Sequence, residues 1–64
     1  MKGIVKHYNN EKGFGFIAGE DNNDYFFHIS NVEGNDVTPE KDDNVQFKPI
    51  ENKKGPAASK IVVM

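Results

Sequence analysis

The chain has 64 residues, no cysteine and a formal net charge of −2. A chain of this length forms one domain at most, and no disulfide is available to support it. No apolar run approaches the roughly 20 residues of a membrane-spanning helix, and the N-terminus lacks the apolar segment of a signal peptide. We therefore expect one soluble, cytoplasmic domain over residues 1–64 that has no membrane partner.

The charges are unevenly distributed along the chain. Residues 1–17 carry a net charge of +2, residues 18–44 carry −7 and residues 45–64 carry +3. Folding could bring the two basic ends together into one positive surface, and scattered, solvated lysines are the alternative. The acidic run over 40–43 is interpreted as a solvated loop. All eight basic residues are lysine, which favours contact with a phosphate backbone over recognition of base edges.

Short segments with strand-like composition recur along the chain, and no long window has helical periodicity. The five predicted strands are 2–8, 13–18, 24–29, 45–50 and 57–63. Residues 19–23 (GEDNN) and 51–56 (ENKKGP) are rich in turn-forming residues. An irregular stretch over 30–44 is expected to contain a short helical turn near Ser30.

Five short strands with no helix to cover a face predict a small all-β antiparallel barrel, because closure removes the strand edges that would aggregate. Gly13 and Gly15 are expected to point into the barrel, where the missing side chain lets the second strand bend. The predicted interior residues are Val5, Ile17, Tyr25, Phe27, Val45, Phe47, Ile61 and Val63.

Aromatic residues alternate along the second and third predicted strands. Phe14 and Phe16 alternate with glycine in KGFGFI, and Phe26 and His28 are two apart in DYFFHI. Residues two apart in a strand share a face, so these four side chains are expected to cover one side of the sheet. They cannot all be core, because the opposite face already carries large apolar residues. A flat face of rings suits a flat partner, and nucleic-acid bases are the first candidates.

Residues 12–17 (KGFGFI) resemble the first ribonucleoprotein motif of bacterial cold-shock proteins, and residues 25–29 (YFFHI) resemble their second motif. The resemblance covers nearly the whole chain. It implies a five-stranded OB-type barrel that binds single-stranded RNA or DNA with little sequence preference. It also implies a role as an RNA chaperone or a modulator of transcription or translation, often under cold stress. The flanking residues that agree with the family are Lys6, Asn9, Asp24, Ser30, Gly55, Pro56 and Ala58.

The resemblance also implies which residues contact the nucleic acid. Bases are expected to stack on Phe14, Phe16, Phe26 and His28, and the other residues are expected to support them. The full implied set is Lys6, His7, Lys12, Phe14, Phe16, Asp24, Phe26, His28, Lys54 and Pro56.

The chain departs from the family pattern at several aromatic positions. His7 stands where a tryptophan is usual, Ile29 where a phenylalanine is usual, and Val37 falls near another aromatic position. Stacking contributes about 1–3 kcal/mol per base, so the resemblance implies weaker binding than is typical of the family. Tyr25 and Phe27 occupy positions that are usually valine, so the barrel interior must be packed differently.

Other classes of function have little support in the sequence. Two histidines without cysteine are a weak metal signal, and we expect no cofactor. Ser30 and Ser59 have no evident base and orienting acid, so we expect neither an enzyme nor a small-molecule substrate. The alternative is a protein-interaction module whose aromatic side binds a peptide or a second copy of the chain. A monomer is expected, and a strand-exchanged dimer remains an alternative.

Overall fold

The computed structural model describes residues 1–34, 38–53 and 55–64. A 3-10 turn over Ile29–Asn31 follows the third strand, at the place predicted near Ser30. The five strands are β1 (Lys2–Asn9), β2 (Phe14–Gly19), β3 (Asp24–His28), β4 (Asn44–Asn52) and β5 (Gly55–Val63).

The strands form a closed barrel in the order β1-β2-β3-β5-β4. The pairs β1–β2, β2–β3, β1–β4 and β4–β5 are antiparallel. The closing contact between β3 and β5 is parallel and joins Phe26 to Ala57. The predicted five-stranded all-β barrel is therefore confirmed, with one parallel pair where the barrel closes.

The hairpin between β4 and β5 is longer than the sequence pattern predicts. Asn52 pairs with Gly55 and Glu51 pairs with Pro56, so the predicted turn over 51–56 is wrong at both ends. The segment has the composition of a loop because it is rich in asparagine, glycine and proline. Only two residues nevertheless separate Asn52 from its partner Gly55.

The barrel interior contains the predicted apolar residues, with one exception. Val63 is half-buried at the edge of the core, and Ala58 is fully buried instead. Register between β4 and β5 shifts between Gln46 and Lys48, and Lys60 has a φ of 49°. Simple alternation therefore fails along β5. The confirmed interior residues are Val5, Ile17, Tyr25, Phe27, Val45, Phe47 and Ile61.

Two large aromatic residues are accommodated inside this small barrel by specific neighbours. Phe27 is stacked on Tyr8, with ring centroids 5.9 Å apart and planes 10° from parallel. A Cβ at Gly15 would lie 2.9 Å from Cε1 of Phe27, so the absence of a side chain at Gly15 leaves room for that ring. Tyr25 packs on Phe47 at a centroid distance of 5.1 Å.

Gly13 does not point into the barrel as predicted. It lies in the turn before β2 with a φ of +72°, and its N–H donates to the carbonyl of Asn9 at 2.8 Å. A Cβ at Gly13 would lie 3.2 Å from Cγ2 of Ile29 and would also face the ring of His28. Glycine suits this position because it adopts the left-handed backbone conformation without the steric cost that a side chain imposes.

Candidate nucleic-acid interface

The aromatic face, defined as Phe14, Phe16, Phe26 and His28, lies on the outer surface of β2 and β3. Phe14 is opposite His28 and Phe16 is opposite Phe26 in the antiparallel register. Phe16 is 40% exposed, Phe14 and Phe26 are half-buried, and His28 is exposed. The structure therefore brings together the four residues expected to stack bases, and it places none of them in the core.

Phe26 is the centre of the aromatic face. Its ring centroid is 5.7 Å from that of Phe14 and 5.8 Å from that of Phe16, with planes inclined by 33° and 72°. Such tilted and edge-to-face pairs contribute about 0.5–1.5 kcal/mol beyond the area they bury. The three rings thus hold one another in place while Phe16 keeps a substantial exposed surface.

His28 is held in one orientation by the turn that follows it. Its Nδ1 accepts a hydrogen bond from the N–H of Ser30 at 3.1 Å and lies 3.0 Å from the Ser30 hydroxyl. Because Nδ1 accepts a backbone proton, we assign the proton of the neutral ring to Nε2. A Cβ at Gly13 would lie 3.6 Å from that nitrogen, at van der Waals contact distance. The arrangement leaves Nε2 able to donate to a base or a phosphate.

A β-bulge in β1 brings His7 beside the aromatic face. The β1–β2 register shifts between Val5, which pairs with Ile17, and His7, which pairs with Phe16. Strict alternation from Val5 would turn His7 inward, but the extra residue turns both Lys6 and His7 outward. His7 therefore extends the row of side chains across the sheet from β3 through Phe16 to β1.

Lys6 and Asp24 form a salt bridge beside this row. The Lys6 Nζ lies 3.2 Å from Oδ2 and 3.4 Å from Oδ1 of Asp24, and the two side chains are 53% and 56% exposed. An exposed pair of this kind contributes about 0–1 kcal/mol. A phosphate group could therefore compete with Asp24 for the Lys6 ammonium at little cost.

Two further predicted contacts, Lys12 and Pro56, are exposed on segments next to the aromatic face. Lys12 is exposed in the turn before β2, where the Asn9 side-chain oxygen accepts the N–H of Glu11 at 2.9 Å and that of Lys12 at 3.2 Å. Pro56 is exposed and immediately precedes Ala57, the β5 residue opposite Phe26. Lys54 lies outside the described residues, as does Val37, one of the non-aromatic replacements.

The sequence pattern does not indicate a groove that opens beside His7. Its volume is about 350 Å³, and its walls come from residues 7–10 and from residues 38–41. These segments are about thirty residues apart in the chain and meet only through the fold. Glu40, the first acidic residue of the run expected to be a solvated loop, thus forms part of a concave surface next to the aromatic face.

Within residues 1–34, 38–53 and 55–64, no group of three His, Cys, Asp or Glu side chains could hold a metal ion. Over the same residues, no helix has the length and apolar character needed to cross a membrane.

Comparison with known proteins identifies the family. The family model described as the "'Cold-shock' DNA-binding domain" matches residues 1–64. The chain belongs to the cold-shock domain family. It is 44% identical over 63 residues to cold shock protein CspD of Bacillus subtilis, covering 97% of this chain and 96% of that protein. It is 43% identical over 60 residues to cold shock-like protein CspLB of Listeria monocytogenes, covering 92% and 91%.

A solved structure supports the same fold. The structure titled "drosophila Unr CSD456" superposes with a TM-score of 0.76 at 23% sequence identity, covering 98% of this chain and 26% of that one. The family model and the two cold-shock relatives confirm the resemblance seen in the sequence motifs. Cold-shock domain proteins bind single-stranded nucleic acids and are not enzymes.

Proposed function

We propose that this chain binds unpaired RNA or DNA by stacking bases on Phe14, Phe16, Phe26 and His28. The observation that carries the proposal is the position of three phenylalanines on the outer surface of β2 and β3, beside a core that is filled without them. The Phe16 ring is 40% exposed and so leaves a flat apolar surface in contact with water. Stacking on a base would cover this surface and contribute about 1–3 kcal/mol per base.

Few lysines assist the stacking, so the salt dependence should be shallow. Lys6, Lys12 and Lys54 are the proposed phosphate contacts, and Lys6 must share its ammonium with Asp24. Each neutralised phosphate on a single strand contributes about 0.7 to the slope of log K against log salt. Three contacts therefore predict a slope near −2.

Stacking also explains the proposed selectivity. Bases in a duplex are already stacked on one another, so the aromatic face favours unpaired strands. Every base has a π-face, so sequence preference along this face should be low. By binding only the unpaired state, the protein would melt weak RNA structure by mass action without ATP. We propose this chaperone activity, or modulation of transcription or translation, as the role of a cytoplasmic monomer that acts as one domain over residues 1–64.

Titration with an oligothymidine tests the proposal directly. We expect binding at low salt that weakens at moderate salt, with unchanged protein secondary structure. The absence of binding at low salt would contradict the proposal and would favour the alternative in which the aromatic face binds a peptide or a second copy of the chain. Sedimentation of the protein alone at the same concentration distinguishes those two outcomes.

A further inference from the structure

The groove beside His7 is continuous with the aromatic face. His7 forms one wall of the groove and is also the β1 residue opposite Phe16. A strand that crosses the aromatic face from β3 towards β1 therefore arrives at this opening. The other walls are Tyr8, Asn10, Thr38, Pro39, Glu40 and Lys41.

The wall formed by residues 38–41 leads into a turn at residues 42–43 that is hydrogen-bonded to β1. The Val5 N–H donates to the Asp43 carbonyl at 3.0 Å, and the Asp42 N–H donates to the Val5 carbonyl at 2.8 Å. The Glu40 N–H donates to Oδ2 of Asp43 at 2.9 Å, which braces the turn. Pro39 is fully buried beneath it. These bonds connect the backbone of Glu40, through Asp43, to the strand that carries His7.

The side chain of Glu40 is available to a ligand. It is exposed, and among the residues that the structure describes its carboxylate accepts no hydrogen bond and forms no salt bridge. A carboxylate accepts hydrogen bonds from a base but repels a phosphate. The volume of about 350 Å³ is at the lower end of ligand pockets, roughly 300–1,000 Å³, which suits a single nucleoside.

We propose that this groove is a base-recognising subsite for the nucleotide next to the one at His7. The Glu40 carboxylate accepts a hydrogen bond from the amino group on the edge of cytosine, adenine or guanine, as carboxylates do with the cytosine amino group. Thymine and uracil lack that amino group and flank their one N–H with two carbonyl oxygens that the carboxylate repels. The groove would therefore add a base preference at one end of a strand whose other bases bind with little preference. This inference rests on the proposed function.

Three seven-nucleotide strands test the subsite: all thymidine, one cytidine at the first position, and one cytidine at the last. Calorimetric titration of the wild-type protein should show about fivefold to tenfold tighter binding of one cytidine strand, at the low end of the discrimination a specific base contact gives. Glu40→Ala should bring the three affinities within twofold of one another and leave the all-thymidine affinity unchanged or slightly raised. Glu20→Ala is the matched control. It removes the same charge at the opposite end of β1, where Glu20 contacts Lys2, and should keep the preference.

The outcomes separate the inference from the function on which it rests. Equal wild-type affinity for all three strands, or a preference that survives in Glu40→Ala, would overturn the subsite while leaving the stacking proposal intact. Failure of the all-thymidine strand to bind would overturn both. In NMR spectra, the backbone amides of Thr38 and Glu40 should shift with the preferred cytidine strand and not with the all-thymidine strand. Identical shifts with both strands would also contradict the assignment.

Discussion

The two sides of the β2–β3 hairpin carry the same residue type in opposite environments. Phe27 faces inward, is fully buried and is stacked on Tyr8. Its neighbour Phe26 faces outward and contacts Phe14 and Phe16, of which Phe16 is 40% exposed. Phenylalanine content alone therefore does not distinguish a core from a binding surface. The register of the strands does, because it decides which ring closes the barrel and which ring remains available to a ligand.

Exposed apolar surface elsewhere on the barrel is of a different kind. Ile4, Val62 and Met64 are 47%, 47% and 62% exposed, and Ile4 and Met64 line a groove of about 360 Å³. These side chains are aliphatic and offer no flat π-surface, and single exposed apolar residues are ordinary on soluble domains. The aromatic face differs from this aliphatic surface in the geometry of its rings rather than in its exposed fraction.

The largest expected contrast is in stability between Phe27→Ala and Phe26→Ala. Deleting the fully buried Phe27 ring should cost about 3–5 kcal/mol of unfolding free energy, enough to unfold much of a domain this small. Deleting the half-buried Phe26 ring should cost about 1 kcal/mol. Urea denaturation followed by circular dichroism measures both, and equal losses would mean that the two sides of the hairpin are not distinct.

A larger ring at position 7 tests whether β1 contributes to base stacking. His7→Trp supplies a larger stacking surface beside Phe16 and should tighten oligothymidine binding by about 1 kcal/mol, the low end of base–aromatic stacking. Lys2→Gln, at the other end of β1, serves as a control for changes unrelated to stacking. A dissociation constant that His7→Trp leaves unchanged would indicate that β1 lies off the path of the strand.

The inner face should also respond to pH through Tyr25. Its hydroxyl donates to Oδ2 of Asp21 at 2.6 Å, which lowers the pKa of Asp21 below 3.8 and raises the pKa of Tyr25 above 10.0. The Asp21 contribution to stability is present above pH 3.8 and is lost as pH falls through the lowered pKa. The Tyr25 contribution is present below pH 10.0 and is lost as pH rises through the raised pKa.

Tyr25→Phe should therefore be less stable than the wild type near neutral pH, with a difference that shrinks in both acid and alkali. Urea midpoints of the wild type and of Tyr25→Phe, measured from acid to alkaline pH, test this pH dependence. A stability difference that stays constant with pH would mean that the Asp21–Tyr25 hydrogen bond does not contribute. A difference that shrinks only in acid or only in alkali would identify which of the two groups is coupled to folding.

The smallest expected effect concerns salt. Lys54→Gln should reduce the slope of log affinity against log salt by about 0.7, the value for one phosphate on a single strand. Lys2 lies on the groove that Ile4 and Met64 line, away from the aromatic face, so Lys2→Gln should leave the slope unchanged. Identical slopes for Lys54→Gln and the wild type would exclude Lys54 as a phosphate contact.

Alternation and turn chemistry were sufficient to predict the five strands, most of the core and the outward position of Phe14, Phe16 and Phe26. They could not predict the bulge at Lys6, because a bulge depends on how β1 and β2 are paired rather than on either strand alone. The irregular register around Lys60 hid the core position of Ala58 for the same reason, whereas Val63 keeps the inward side of Ile61 and is half-buried at the end of β5. The groove at Glu40 arises from contact between distant segments, which no local pattern encodes.

The most direct test of the account compares Phe16→Ala with Ile4→Ala, two exposed apolar residues of similar exposure, 40% and 47%. Oligothymidine affinity and urea stability are measured for both variants in the same buffer. We predict that Phe16→Ala loses about 1–3 kcal/mol of binding free energy with little loss of stability, while Ile4→Ala keeps the wild-type affinity. Wild-type affinity in Phe16→Ala, or a loss of stability as large as that of a core substitution, would contradict the account.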